Sequence, residues 1–150
     1  MCGIFTVLSN ETIAKHDLIH KKWKKSFERG FMRGPEHSVY KLLNNNVVFG
    51  FHRLAINGLD DISNQPIVIN NVTLICNGEI YNYKEIYKTL DITPNTHSDC
   101  EIIIHLYLTF KDINYILNLL DGVFSFVLFD FNNENPLCFV ARDPFGVRPL

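Results

Sequence analysis

The chain has 150 residues, 47% of them hydrophobic and 20% charged, with a formal net charge of −2 at pH 7. That length suits one domain with a sizeable core and needs no staples. The composition excludes a disordered chain, and the charge balance leaves no basic footprint for nucleic acid or an anionic membrane.

The chain opens Met1-Cys2-Gly3-Ile4. Removal of Met1 would leave Cys2 with a thiol and a free α-amino group on one residue. Their ordinary pKa values, about 8.5 and about 7.7–8.0, lie close enough for a proton to pass between them near neutral pH. An N-terminal nucleophile that uses its own amine as base is an established form of activation. The bland alternative is a small buried hydrophobe. Residues 4–8 read as a strand. Over residues 14–31, Ala14, Leu18, Ile19, Trp23 and Phe27 recur at helical spacing. Lys21-Lys22-Trp23-Lys24-Lys25 reads as a solvated face of that helix rather than a phosphate grip. Gly30 and the Arg33-Gly34-Pro35 turn are expected to end it. Strands are expected next over residues 38–42 and 47–52, joined by Asn44-Asn45-Asn46. Arg53 ends the second of them, either as a snorkelling surface residue or as a carboxylate clamp.

A loop over residues 57–65 leads to a short strand at 66–69, and Asn70-Asn71 signals a hairpin into a strand at 72–76. Asn77-Gly78-Glu79 then sits between that apolar strand and a helix over residues 83–90. The run Ile80-Tyr81-Asn82-Tyr83-Lys84-Glu85 does not alternate like a returning strand, so Asn-Gly is not read as a hairpin turn. An Asn amide beside a glycine N–H supplies two neutral donors. Those are the parts of an oxyanion hole, where one donor contributes about 2.7–4 kcal/mol to a transition state. Ser98-Asp99-Cys100-Glu101 reads as a capping box, with Ser98 capping and Glu101 reaching back, at the head of a buried helix running to residue 110. Asp99 would either favour the helix N-terminus or hold a substrate ammonium. One arginine and one aspartate match the two charged groups of a free amino acid.

A further helix is expected over residues 112–120, then a turn at Asp121-Gly122. Residues 123–130 form a nearly continuous apolar strand, expected to be covered on both faces. A turn over 132–136 brings the chain back into a strand at 137–142. Strands, then helices, then strands suggest sheets stacked with helices outside. Asp143 and Arg148 flank a Pro/Gly turn and read as a local pair or a support for the N-terminal strand. His52 and His105 read as packing residues, and Cys76 as a buried strand residue. The four cysteines, Cys2, Cys76, Cys100 and Cys138, match neither CxxC nor zinc-ligand spacing and read as reduced thiols of a cytosol-like compartment. No apolar run approaches the ~20 residues of a membrane helix. The chain stops at Leu150 without a polar tail and is expected to be the front part of a longer protein.

Six motifs occur in order: Met1-Cys2-Gly3-Ile4, Arg33-Gly34-Pro35, His52-Arg53-Leu54-Ala55-Ile56, Asn77-Gly78-Glu79-Ile80-Tyr81-Asn82, Ser98-Asp99-Cys100-Glu101, and Arg142-Asp143-Pro144-Phe145-Gly146-Val147-Arg148-Pro149-Leu150. Together they resemble the glutaminase domain of a class II glutamine amidotransferase, an N-terminal-nucleophile hydrolase, and within that class the glutamine-hydrolysing asparagine synthetase branch. The resemblance spans essentially residues 1–150, taken as one domain. It implies an α+β fold, an αββα four-layer sandwich of two antiparallel sheets flanked by helices. It implies Cys2 as nucleophile with its α-amine as base, and Asn77 and Gly78 as oxyanion donors. Arg53 would bind the glutamine α-carboxylate, and Asp99 the α-ammonium, with Glu79 and Ile56 also against the substrate. Glu36 stands where the family usually has Asp.

The expected partners are L-glutamine and a synthetase domain of the same chain, absent from these residues, with a homodimer as one arrangement; nucleic acid and membrane are not expected. No cofactor is expected for the glutaminase step, while ATP and magnesium would belong to the synthetase domain. The expected location is cytoplasmic. Two other readings stay open: a class II amidotransferase with another ammonia acceptor, and a non-catalytic domain of the same fold should Met1 be retained.

Overall fold

Two antiparallel sheets carry this α+β fold, one in each of two units, Met1–Ala55 and Ile56–Leu150. The computed structural model describes residues 2–10, 12 and 17–150.

In the first unit the strand order is β1-β3-β2, with β1 at Gly3–Leu8, β2 at His37–Asn44 and β3 at Val47–Arg53. The central β3 is buried at every residue. One cross-strand row, Phe5–Gly50–Tyr40, explains how helix α1, Asp17–Glu28, seats on this sheet. A Cβ at Gly50 would lie 2.4 Å from the Phe27 ring, so only glycine lets that ring settle there. Phe27 also stacks on the His52 imidazole, with ring centres 3.9 Å apart. His52 is a packing residue: it is buried, 2.7 Å from Ser38 Oγ through Nδ1 and 2.9 Å from the Phe27 carbonyl through Nε2.

The expected helix over residues 14–31 is shorter at its C-terminal end, where α1 stops at Glu28 and Phe31–Arg33 is a single 3-10 turn. Ala14 lies outside the described residues. Leu18 is 82% exposed and Ile19 is also exposed, so they are not part of the buried stripe their spacing implied. The helix is anchored by Phe27 with a half-buried Trp23 and by His20, whose ring meets that of Tyr40 in β2 with centres 5.4 Å apart, so the seated face runs His20–Trp23–Phe27 and leaves Leu18 outside it.

In the second unit the order is β4-β5-β6-β7, with β4 at Ile67–Ile69, β5 at Val72–Ile80, β6 at Gly122–Asp130 and β7 at Leu137–Arg142. Asn70 and Asn71 take φ of 48° and 59°, the left-handed pair a tight β4–β5 hairpin needs. Helices α2, Tyr83–Leu90, α3, Ile102–Phe110, and α4, Ile113–Leu119, come after β5. The Asp112 carboxylate caps α4 by accepting from the N–H groups of Asn114 and Tyr115. Even-numbered residues of β5 and β6, such as Leu74, Cys76, Phe126 and Leu128, share a core with Ile102, Leu106 and Tyr107 of α3. The odd-numbered face, including Ile75, Asn77, Ser125 and Val127, is buried too, so β6 is covered on both faces as its apolar run implied.

Two local expectations change. Asn77-Gly78-Glu79 does not come after the strand; it lies inside β5, which runs on to Ile80. The reason is the long register with β6, unbroken from Val72↔Asp130 to Ile80↔Gly122. The capping box does not form either. Ser98 makes no side-chain cap. Glu101 instead reaches past it to the N–H groups of Asn95 and Thr96, at 2.7 and 2.6 Å. His105 Nε2 meets the same carboxylate at 2.8 Å. Among the described residues no helix is long and apolar enough to cross a membrane.

Candidate active site

The Cys2 sulfur sits on the chain just past the end of β3. It lies 3.4 Å from Leu54 O and 3.4 Å from Leu54 N. That seat serves both protonation states, since the thiol donates to the carbonyl and the N–H donates to sulfur when the proton has gone. The Arg33-Gly34-Pro35-Glu36 segment fixes this piece of backbone. Arg33 Nε donates to the Cys2 carbonyl at 3.1 Å. A Cβ at Gly34 would lie 2.5 Å from the backbone of His52 and Arg53, so glycine alone permits the close pass. Pro35 bridges in parallel to Arg53, the Glu36 N–H donates to Arg53 O at 3.2 Å, and the Glu36 carboxylate accepts from the Ala55 N–H at 2.7 Å. Glu36 thus does its work from where it stands. Arg53 is buried, which removes the snorkelling reading.

The second unit holds Ile56, Asn77, Gly78, Glu79 and Asp99. Ile56 is 55% exposed, so its side chain is no buried anchor. Along β5 the outward N–H groups fall every second residue. Cys76 donates to the Gln65 side-chain oxygen at 2.6 Å, while the Gln65 amide donates back to Cys76 O at 3.0 Å. That side chain continues the pairing where β4 has ended. Ile80 donates to Asp99 Oδ2 at 2.7 Å. Gly78 stands between them. Its partner Phe124 turns its own N–H and C=O toward Asp143, so Gly78 and Phe124 are not a hydrogen-bonded pair. The Gly78 N–H therefore points to the same edge as those of Cys76 and Ile80, past the end of β4. Glycine is also required for packing, because a Cβ there would lie 2.3 Å from Val123 O and 2.5 Å from Phe124 Cα. Asn77 is buried on the sheet face opposite the helices.

Asp99 is buried, and burial pushes its carboxyl pKa up. The Glu79 charge adds to the rise; the N–H of Ile80, its own N–H and the Asn57 side chain work against it. A buried carboxyl beside a second one favours a cation that can replace lost water. Asn57 was not singled out in the sequence, where it reads as a loop residue; nothing local predicts a donor to a carboxyl 42 positions on. Arg33 was seen only as a turn residue, although it contacts Cys2.

Of the other cysteines, Cys100 reaches the site backbone, its Sγ donating to Gly78 O at 4.0 Å. None of the four is in a disulfide; Cys76 is in the core, and burial raises the Cys138 thiol. Asp143 does not ion-pair with the Arg148 side chain. Its carboxylate accepts from the N–H groups of Phe124, Phe145, Val147 and Arg148, which closes the turn after β7. No group of three His, Cys, Asp or Glu side chains among the described residues is placed to hold a metal ion.

A family described as a glutamine amidotransferase domain matches residues 1–150. Asparagine synthetase [glutamine-hydrolyzing] of Gallus gallus is 37% identical over 157 residues, covering 100% of this chain and 26% of that protein. The Homo sapiens protein of that name is 36% identical over 156 residues, with the same coverage. Asparagine synthetase [glutamine-hydrolyzing] 2 of Bacillus subtilis (strain 168) is 34% identical over 154 residues, covering 100% of the chain and 20% of that protein. The chain thus spans about a quarter or less of these relatives.

Proposed function

This chain belongs to the class II glutamine amidotransferases, of the asparagine synthetase kind, and from that premise we propose that it hydrolyses glutamine to glutamate and ammonia through a Cys2 thioester. Removal of Met1 is part of the proposal, because only a free Cys2 amine can act as base. The amine takes the thiol proton. The sulfur attacks the side-chain amide carbon of glutamine, and the carbonyl oxygen becomes an oxyanion. The Asn77 side-chain amide and the Gly78 N–H donate to it. The tetrahedral intermediate collapses as the amine returns its proton to the leaving nitrogen, and ammonia departs. Water then attacks the γ-glutamyl thioester and gives a proton to the amine. Collapse releases glutamate and restores the thiol.

Arg53 is assigned to the substrate α-carboxylate, where a guanidinium binds two oxygens at once. Asp99, with Glu79 beside it, is assigned to the α-ammonium. Ile56 contacts the substrate through its backbone, since its side chain faces solvent. In the longer protein the ammonia would amidate aspartate, with ATP and magnesium in a synthetase domain beyond these residues; this chain's residues carry no step of that half. A cytoplasmic location accords with four cysteines outside any disulfide.

The observation that carries the reading is the seat of Cys2, between the N–H and C=O of one residue, in a chain the family matches throughout. Glutamine-dependent ammonia release by the full-length protein tests it. Cys2→Ala is expected to abolish release and Cys2→Ser to leave a trace, with Met1 missing from the intact mass. Full activity in Cys2→Ala, or retained Met1 on active protein, overturns it.

A further inference from the structure

We propose that Gln65 is a positioning residue for the oxyanion donors: its side chain stands in for a strand beside Cys76, fixes the backbone that leads into Asn77 and Gly78, and leaves the Gly78 N–H open on that edge of β5. The inference rests on the assignment of Asn77 and Gly78 to the oxyanion.

All of the parts belong to the second unit. The β4–β5 register runs Ile67↔Leu74, Val68↔Thr73 and Ile69↔Val72, and its continuation would set Gln65 opposite Cys76. The main chain does not continue it: β4 starts only at Ile67, and Pro66 before it has no N–H to give a ladder. The Gln65 side chain, which is buried, supplies the missing pair. Its Oε1 accepts from the Cys76 N–H at 2.6 Å, and its Nε2 donates to Cys76 O at 3.0 Å. A primary amide presents an acceptor and a donor side by side, as a strand residue does. One neutral side chain therefore satisfies both backbone groups of Cys76.

The choice of a side chain over a strand has a consequence at the next residue pair. A strand beside Cys76 would go on to bond Gly78, whereas a side chain ends with the group it binds. Cys76 O also belongs to the planar peptide unit that carries the Asn77 nitrogen, so Gln65 fixes where Asn77 begins. At the far end of the segment Asp99 Oδ2 accepts from the Ile80 N–H at 2.7 Å. On the opposite edge Asn77 and Gly78 stay in register with Ser125 and Phe124 of β6. Asn77 and Gly78 are thus held between two side-chain grips on one edge and a ladder on the other. Side chains take the Cys76 and Ile80 N–H groups, and the Gly78 N–H lies between them.

Gln65→Met and Gln65→Ala in the full-length protein test this. The first keeps the length of the side chain and removes both hydrogen bonds; the second admits water to Cys76 and decides the matter should the first not fold. Each should lower kcat for glutamine hydrolysis about tenfold, the scale of one hydrogen bond and short of the 10²–10³-fold cost of losing a donor outright. The KM for glutamine should stay within about twofold of wild type, because Arg53 and Asp99 are untouched. Gln65→Met with Asn77→Ala should cost less than the product of the two single losses, because both weaken the hold on one oxyanion. Amide hydrogen exchange, read residue by residue by mass spectrometry, should quicken at Cys76 in Gln65→Met and stay as in wild type at Leu74, which the β4–β5 ladder holds. An unchanged kcat in a folded variant, a rise in KM matching the fall in kcat, fully multiplicative losses, or equal quickening at Leu74 overturns the proposal. Should wild type release no ammonia from glutamine, the functional reading falls, and exchange at Cys76 still decides whether Gln65 holds this edge.

Discussion

The two units hold their proposed site residues by different physical means. In the first, backbone does it: the Cys2 sulfur rests on Leu54 N and O, and Gly34 passes tightly against the chain at His52 and Arg53. In the second, the β5–β6 ladder holds Asn77 and Gly78, and buried carboxylates fasten the backbone around them. Asp99 holds Ile80, Glu101 holds Asn95 and Thr96, and Asp143 holds the turn after β7. The lesson concerns sensitivity. A backbone seat is disturbed by volume, whereas a carboxylate seat is disturbed by protons. Glu101 makes this concrete. Burial alone would raise its pKa, but hydrogen bonds from His105, Thr96 and Asn95 bring it down to about 2 from an ordinary 4.5.

Phe27→Ala should break the first unit most severely. It empties the space between α1 and Gly50, and losses of this type run to about 3–5 kcal/mol. Urea unfolding should report it, with no change in the shape of the acid-unfolding profile. A loss below about 1 kcal/mol would mean that α1 is not seated by this ring.

Asn77→Ala addresses chemistry in the second unit. It should lower kcat about 10²–10³-fold, the cost of one oxyanion donor, and move urea stability far less. Loss of stability in proportion to activity would make Asn77 a packing residue instead.

Glu101→Gln sharpens the contrast in pH response. The native carboxyl is held low, so the folded state binds fewer protons than the unfolded chain. Its stabilisation is complete above about 4.5 and is lost as pH falls toward about 2. The variant should cost about 1.5–3 kcal/mol near neutral pH, the worth of hydrogen bonds to a charged group, and should flatten stability between those two pH values. Unchanged acid sensitivity would shift the weight to Asp130, whose pKa is also about 2: burial alone would raise it, but hydrogen bonds from Asn132, Tyr107 and Lys111 hold it down.

Leu18→Ser is the smallest expected change. The side chain is largely exposed, so stability should stay within about 0.5 kcal/mol of wild type. A loss of several kcal/mol would restore the buried stripe that the helical spacing implied.

Much of the second unit was legible in the sequence. The Asn70-Asn71 hairpin, α2 at Tyr83–Leu90 and the apolar β6 all come from nearest-neighbour preferences and periodicity. The Cys2, Asn77-Gly78 and Asp99 positions were legible as motifs. The capping box misled because Glu101 has a choice of N–H groups, and only the folded loop before Ser98 offers the better pair. Leu18 misled because the face that meets the sheet is His20–Trp23–Phe27, and Leu18, nine residues before Phe27, falls half a turn round the helix from it.

The sequence by itself determined the order and type of the elements, the family and the chemical kinds available at the site, since these rest on local backbone preference and side-chain inventory. Only tertiary structure decided that Gly78 serves β5–β6 packing with its N–H turned to the open edge, that Gln65 finishes the pairing β4 leaves off, and that Glu101 serves the N–H groups of Asn95 and Thr96. Each of these depends on which distant backbone comes within a few ångströms, and close approach is a property of the folded chain rather than of any short stretch of it.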